Sequence, residues 1–238
     1  MHLVIGNTSQ LSHYFPEDYI KISSRNIDFN YLKQHQWDSV YLTFAEQRIY
    51  EKNIDYVTPN YLNTIKIIKH LLRNSKKIVC YTSCELWSGL EGKISLDTKP
   101  SFNLNNEYTI SKLLLWNKIK ELRTENDLYN KVVFIHPFYF NSTHRSEYFL
   151  FGKVFKSIIL KEKISLGNLN FQRDMVHANF VVKKSIEQTT DCMVGSGKLF
   201  NVRGFITDLY EMNGMNFNEY VTEDVSQSTG AKKLIMAD

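Results

Sequence analysis

Five residues near the middle of the chain carry acid–base side chains: Ser83, Cys84 and Glu85 close one apolar run, and Tyr108 and Lys112 open the next periodic segment. Tyr108 and Lys112 are four residues apart, so a helix puts them on adjacent turns of one face. A nearby ammonium favours phenolate, and a tyrosine so placed can act as acid or base towards a sugar hydroxyl or ketone. Ser83 could bind the same substrate oxygen. Glu85 could take a proton from a carbon beside a ketone and deliver one to a departing hydroxyl. Together these groups suit the movement of a hydride and protons at a sugar carbon. Each also has a plainer role. A Tyr-x-x-x-Lys pair arises by chance in a chain with 14 Tyr, Ser83 can satisfy a strand end, and Glu85 can face water. Cys84 is either a small buried residue or a second acid.

The elements that must position these groups are short apolar runs alternating with amphipathic segments. Strands are predicted over residues 2–6, 19–23, 39–43, 78–82 and 132–136. Helices are predicted from Asp28, as N-cap, to Gln36, from Pro59 to Asn74 and from Glu107 to Arg123. Nearly continuous apolar strands alternating with helices imply an α/β fold, a Rossmann-like doubly wound parallel sheet covered on both faces. Ligands of such sheets sit outside the carboxyl ends of the strands. Gly6, Arg25, Thr43, Ser83 and His136 all fall at or just past those ends. Beyond Pro137 the alternation breaks down, with helices predicted over 147–161, 175–189 and 203–212 and a short strand over 199–202. The expected organisation is a cofactor-binding core, 1–140, and a small substrate lobe, 141–238, interleaved with it. The tail from Val225 is polar and then Lys-rich, and is predicted to fray or to pack on a partner.

The first strand runs into Gly6-Asn7-Thr8-Ser9-Gln10-Leu11-Ser12. A dinucleotide fingerprint needs small residues where backbone N–H groups approach a pyrophosphate. Here one glycine is present, and Ser9 and Ser12 hold the other two spacings; an ordinary strand and turn fits the same residues. Arg25 either pairs with a 2′-phosphate, which points to NADP, or is a solvated surface residue.

Composition narrows the classes. The chain has 238 residues and a net charge of +4 with mixed signs and no basic block, which argues against a nucleic-acid partner. Three cysteines, Cys80, Cys84 and Cys192, suit a reducing compartment rather than a disulfide framework. No spacing suggests a metal site. The beginning of the chain lacks a signal-peptide pattern and no apolar run approaches membrane-spanning length. The expectation is a cytoplasmic protein with no membrane partner.

With these residues in view, the chain resembles the extended short-chain dehydrogenase/reductases, also called the NAD-dependent epimerase/dehydratase family, and most of all the GDP-mannose 4,6-dehydratase branch. Residues 38–47 (DSVYLTFAEQ) resemble that branch's strand and following loop, and Asn60 to Thr64 its next helix. Thr82-Ser83-Cys84-Glu85-Leu86-Trp87 resembles its Ser-Thr-Ser-Glu-Leu-Tyr run, and Tyr108 and Lys112 fall on its catalytic pair. Phe140-Asn141, Arg145 to Phe149 and Lys153 resemble its substrate segment. Leu166 to Leu169, Arg173 to Ala178 and Asn201 to Phe205 resemble three further motifs. The resemblance implies a catalytic set of Ser83, Glu85, Tyr108 and Lys112, with Cys84 beside them. It implies NADP, or NAD, held by Gly6, Ser9, Gln10, Leu11, Ser12, Arg25, Thr43, Ala45, Lys112 and His136. It implies a nucleotide-diphosphate sugar, GDP-linked in that branch, held by Asn141, Arg145, Lys153, Arg173 and Arg203. A homodimer or tetramer is implied by resemblance alone. The chain departs from the pattern in its missing glycines, its short first helix, and Cys84, Trp87 and Ser88. The leading expectation is therefore a 4,6-dehydratase. The alternatives are a 4-ketoreductase or epimerase on a 4-keto-6-deoxy nucleotide sugar, and a non-catalytic sugar-nucleotide-binding homologue.

Overall fold

A computed structural model describes residues 1–48, 53–224 and 234–236. Six strands form the core sheet: β1 (His2–Ile5), β2 (Ile20–Ile22), β3 (Ser39–Leu42), β4 (Ile78–Tyr81), β5 (Val132–Pro137) and β6 (Cys192–Val194). All are parallel, in the order β6-β5-β4-β3-β1-β2. The winding reverses between β1 and β3, which is where ligands bind in doubly wound sheets. The standard dinucleotide-binding order, 3-2-1-4-5-6, has two strands beyond β1. Among the described residues this sheet has one, because the link from β2 to β3 holds only α1 (Phe29–Gln34).

The alternation within each strand explains the layers. Leu3, Ile5, Val40, Leu42, Ile78, Cys80, Val132 and Phe134 face a layer built from α1, α2 (Asn63–Leu71) and α3 (Glu107–Glu125). Four helices follow: α4 (Leu150–Leu160), α5 (Ala178–Glu187), α6 (Val202–Met212) and α7 (Phe217–Tyr220). The opposite sheet face, with Val4, Tyr41, Val79, Tyr81, Val133 and Ile135, is covered by α5 and the segment after β1. That segment forms a single 3-10 turn, Ser12–Tyr14. Aromatic rings take up the space of a longer helix: Phe15 lies 4.5 Å from Tyr41, and Tyr19 stacks 4.5 Å from His2.

A separate cluster forms the lobe, from Val154 of α4, Leu166, Leu169, Val202, Ile206 and Tyr210 of α6, and Phe217 of α7. Buried Asp174 ties this lobe to the core and to the end of the chain. Its carboxylate accepts from the backbone N–H groups of Ser196 (2.6 Å), Gly197 (3.0 Å) and Met236 (3.2 Å).

Three sequence expectations change. The helix predicted from Met175 begins only at Ala178, because Met175–His177 pairs in parallel with the strand Tyr139–Asn141. The helix predicted from Pro59 opens with a π-helical turn, Thr58–Leu62. The tail, predicted to fray or to pack on a partner, returns to the body where described: Leu234–Met236 pairs in parallel with Gly92–Ile94. The sixth strand was not predicted, since three residues leave too little periodicity to read.

Candidate functional site

A cleft of about 1520 Å³ runs along the carboxyl ends of β1, β3, β4 and β5 and beneath the lobe. Single ligands usually occupy about 300–1,000 Å³, so this cleft has room for two. Of the predicted residues, Gly6, Ser9, Gln10, Leu11, Arg25, Thr43, Ala45, Ser83, Cys84, Glu85, Tyr108, Lys112, Asn141, Arg145 and Arg173 line it. Four do not. Ser12 is buried beneath the turn, its Oγ 2.7 Å from Asn7 O and 2.6 Å from Ser9 O. His136 is wholly buried under the sheet end, 2.5 Å from Thr82 Oγ1. Lys153 is exposed on α4. Arg203 is paired with Glu223 at 2.7 Å.

The catalytic end is set by α3. Asn106 caps this helix by accepting from Thr109 N, so Tyr108 falls in its first turn and Lys112 one turn on. The α3 position is fixed from outside by Asn60, whose amide donates to Ser111 Oγ (3.1 Å) and Glu46 O (3.0 Å) and accepts from Glu46 N. Lys112 Nζ donates to Tyr81 O at 3.0 Å and lies 5.9 Å from the Tyr108 ring centre. Burial pulls the Lys112 pKa down to about 8. Burial likewise pushes the Tyr108 phenol up; the Ser83 hydrogen bond and the Arg145 charge oppose this without overcoming it. The phenol of the empty cleft is therefore protonated, against the expectation that its ammonium neighbour lowers its pKa.

Ser83 caps the short 3-10 turn Cys84–Trp87, accepting from Glu85 N at 3.2 Å. This turns the Glu85 side chain towards the lobe, where Tyr139 donates to its Oε1 at 2.6 Å. Cys84 is buried beside them, and burial raises its thiol well above the usual range, so it stays neutral. Two arginines complete this end on aromatic shelves. The Arg173 guanidinium sits 4.5 Å over the Tyr139 ring and 4.7 Å over Phe171. That of Arg145 sits 3.6 Å over Phe149 and donates to Gln47 Oε1. Flat guanidiniums stacked on rings keep their edges free for paired oxygens. Tyr139, Asn60 and the shelves were not singled out from the sequence. The signal was the placing of Phe140 and Phe149 about Arg145, and of Tyr139 and Phe171 about Arg173.

The other end is leaner. Gly6 adopts φ +113°, and a Cβ there would lie 2.8 Å from both Phe44 N and Thr43 Oγ1. Only glycine combines that backbone with that approach. Thr43 Oγ1 reaches Gly6 O and Ile5 O and so locks the turn to β3. Gln10 is buried, and its Nε2 has no partner among the described residues. An orphaned amide donor at the cleft wall, a glycine cradle and the nearby Lys112 ammonium fit a phosphate-bearing dinucleotide. Arg25 stands exposed just past β2. Among the described residues no group of acidic, histidine and cysteine side chains could hold a metal ion, and no helix is long and apolar enough to cross a membrane.

Neither a protein-family model nor a curated protein matches this sequence. Solved structures match its fold closely. RMD from Pseudomonas aeruginosa, complexed with NADPH, superposes with a TM-score of 0.82 at 13% identity, over 99% of this chain and 88–90% of the neighbour's length being typical; here 89%. The dTDP-glucose 4,6-dehydratase DesIV from Streptomyces venezuelae, with NAD bound, gives 0.81 at 13% identity over 100% and 88% of the two chains. The UDP-glucuronic acid 4-epimerase from Bacillus cereus, with UDP-glucuronic acid and NAD, gives 0.81 at 15% over 100% and 90%. The chain thus has a Rossmann-like fold, and the neighbours with that fold include nucleotide-sugar enzymes with nicotinamide cofactors bound.

Proposed function

We propose that this protein is an NADP(H)-dependent enzyme of nucleotide-diphosphate sugars, and that its reaction is 4,6-dehydration of a GDP-linked hexose. The observation that carries the proposal is the meeting of Ser83, Glu85, Tyr108 and Lys112 in one cleft, with Arg145 and Arg173 facing them. The nicotinamide, when bound, supplies the acceptor and then the donor of a hydride. Tyr108 removes the proton of the C4 hydroxyl, aided by the Lys112 charge and held in place by Ser83. Glu85 takes the C5 proton and passes it to the C6 hydroxyl, which leaves as water. Gln10 and the turn at Gly6 meet the dinucleotide phosphates, and Arg25 meets a 2′-phosphate. Arg145, Arg173 and Asn141 receive the sugar nucleotide. The core, 1–140, carries the cofactor and 141–238 the sugar nucleotide. In the test, purified protein with NADP⁺ and GDP-mannose yields a 4-keto-6-deoxy product. Binding of both ligands without that product overturns the dehydratase assignment.

One observation favours a second reading. A dehydratase reuses one cofactor molecule, whereas a ketoreductase releases it at each turnover. The single 3-10 turn after β1 offers a light grip, which suits NADPH as an exchanging reductant for a 4-keto sugar. Stoichiometric NADPH consumption with a 4-keto-6-deoxy nucleotide sugar supports that reading, and tolerance of Glu85→Gln goes with it.

A further inference from the structure

Tyr139 is the buried ionisable group at the catalytic end that the proposed reaction leaves unused. Its phenol donates to Glu85 Oε1 at 2.6 Å. Its ring lies under the Arg173 guanidinium, 4.5 Å from centre to carbon. Its backbone is fixed by strand pairing, with Tyr139 opposite Met175 and Tyr139 N donating to Asp174 O at 3.2 Å. Burial, with Cys84 and Glu85 nearby, raises the phenol well above its usual range, so it remains a donor. Glu85 is consequently held twice: at its backbone by the Ser83 cap and at its carboxylate by Tyr139. One carboxylate oxygen is occupied, and the other is left for chemistry.

We propose that Tyr139 is a positioning residue: it fixes the carboxylate of Glu85 so that Oε2 alone faces the substrate carbon, separating the proton step at C5 from the Tyr108 and Lys112 step at C4. The inference rests on the dehydratase reading for the identity of the carbon. In the step it governs, the C5–H proton passes to Glu85 Oε2, and its electron pair becomes the C5–C6 double bond as the C6 hydroxyl leaves with that proton. Arg173 links the pair to the sugar nucleotide, since its guanidinium covers the Tyr139 ring. Binding of a diphosphate by Arg173 would hold the phenol, and through it Glu85, in register.

Tyr139→Phe keeps the ring and its shelf and removes only the donor. Single-turnover absorbance of NADPH reads the C4 step, and deuterium wash-in from D₂O reads the C5 step. The variant is expected to lose about a hundredfold in C5 exchange, the order of loss for a displaced catalytic group, with hydride transfer at C4 within about twofold of wild type. Equal loss in both steps, or loss in neither, overturns the proposal. A second readout needs no turnover. Infrared difference spectra, with Glu85→Gln identifying the band, are expected to show the Glu85 carboxylate stretch shifted in Tyr139→Phe. An unmoved band overturns the positioning role whatever the enzyme's reaction. A shifted band in a protein inert towards GDP-, UDP- and dTDP-sugars upholds the positioning and overturns the dehydratase reading instead.

Discussion

At the catalytic end of the cleft, Tyr108 and Lys112 sit in a 19-residue helix that Asn60 pins and Asn106 caps. At the phosphate end, Gly6 to Leu11 lead into a three-residue 3-10 turn, and one strand lies beyond β1 where the standard order has two. The same sheet thus supports a rigid, deeply buried acid–base centre and a reduced cofactor cradle. Alignment of proton-transfer groups is lost steeply with small displacements, so this end cannot be simplified. Cofactor grip can be spread over separate contacts, and here those are a glycine turn, an orphaned amide and single cations.

The largest effect expected from this contrast is at Tyr108. Tyr108→Phe should lower kcat by about 10²–10⁴-fold, the range for a general acid–base group, with dinucleotide and sugar-nucleotide affinities unchanged by calorimetry. Gly6→Ala comes next. Its Cβ would meet Phe44 N and Thr43 Oγ1 at 2.8 Å with φ at +113°, and a cost of about 1–3 kcal/mol is expected in urea denaturation. Arg25→Ala should weaken NADPH about tenfold, as for loss of one charge-assisted contact, and leave NADH and stability unchanged. Equal loss for both cofactors would show that Arg25 does not read the 2′-phosphate.

The smallest effect concerns pH. Burial pulls His136 from its ordinary 6.5 down to about 3. Between those values the unfolded chain binds the extra proton, so stability falls as pH falls. About 1 kcal/mol should be lost between about pH 6.5 and 5.5 through this one group. His136→Gln should flatten that part of the profile, and a profile as steep as wild type would place the acid sensitivity elsewhere.

Much of this was legible from residue types. Apolar runs ending in Gly6, Thr43, Ser83 and His136 marked β1, β3, β4 and β5, because fully buried parallel strands leave uninterrupted hydrophobic stretches. The Tyr108 and Lys112 pair was legible from helical spacing. Other features depend on contacts between distant segments. Met175–His177 reads as the start of a helix until its pairing with Tyr139–Asn141 is known. Tyr139 meets Glu85 across 54 positions. Arg203 looks like an anion binder until Glu223 is found beside it, and His136 looks like a site residue until its burial is seen. Local spacing carries the strands and the helix face, but not which side chains cross from lobe to core.

The central claim is that one cleft oxidises C4 of a nucleotide sugar and eliminates across C5 and C6 using Tyr108 and Glu85. Incubation of the protein with NADP⁺ and GDP-mannose deuterated at C4, followed by mass spectrometry and NMR of the product, tests it most directly. The account predicts a 4-keto-6-deoxy sugar with the deuterium moved to C6 and a solvent hydrogen at C5. Both ligands bound, with all deuterium still at C4, would contradict it.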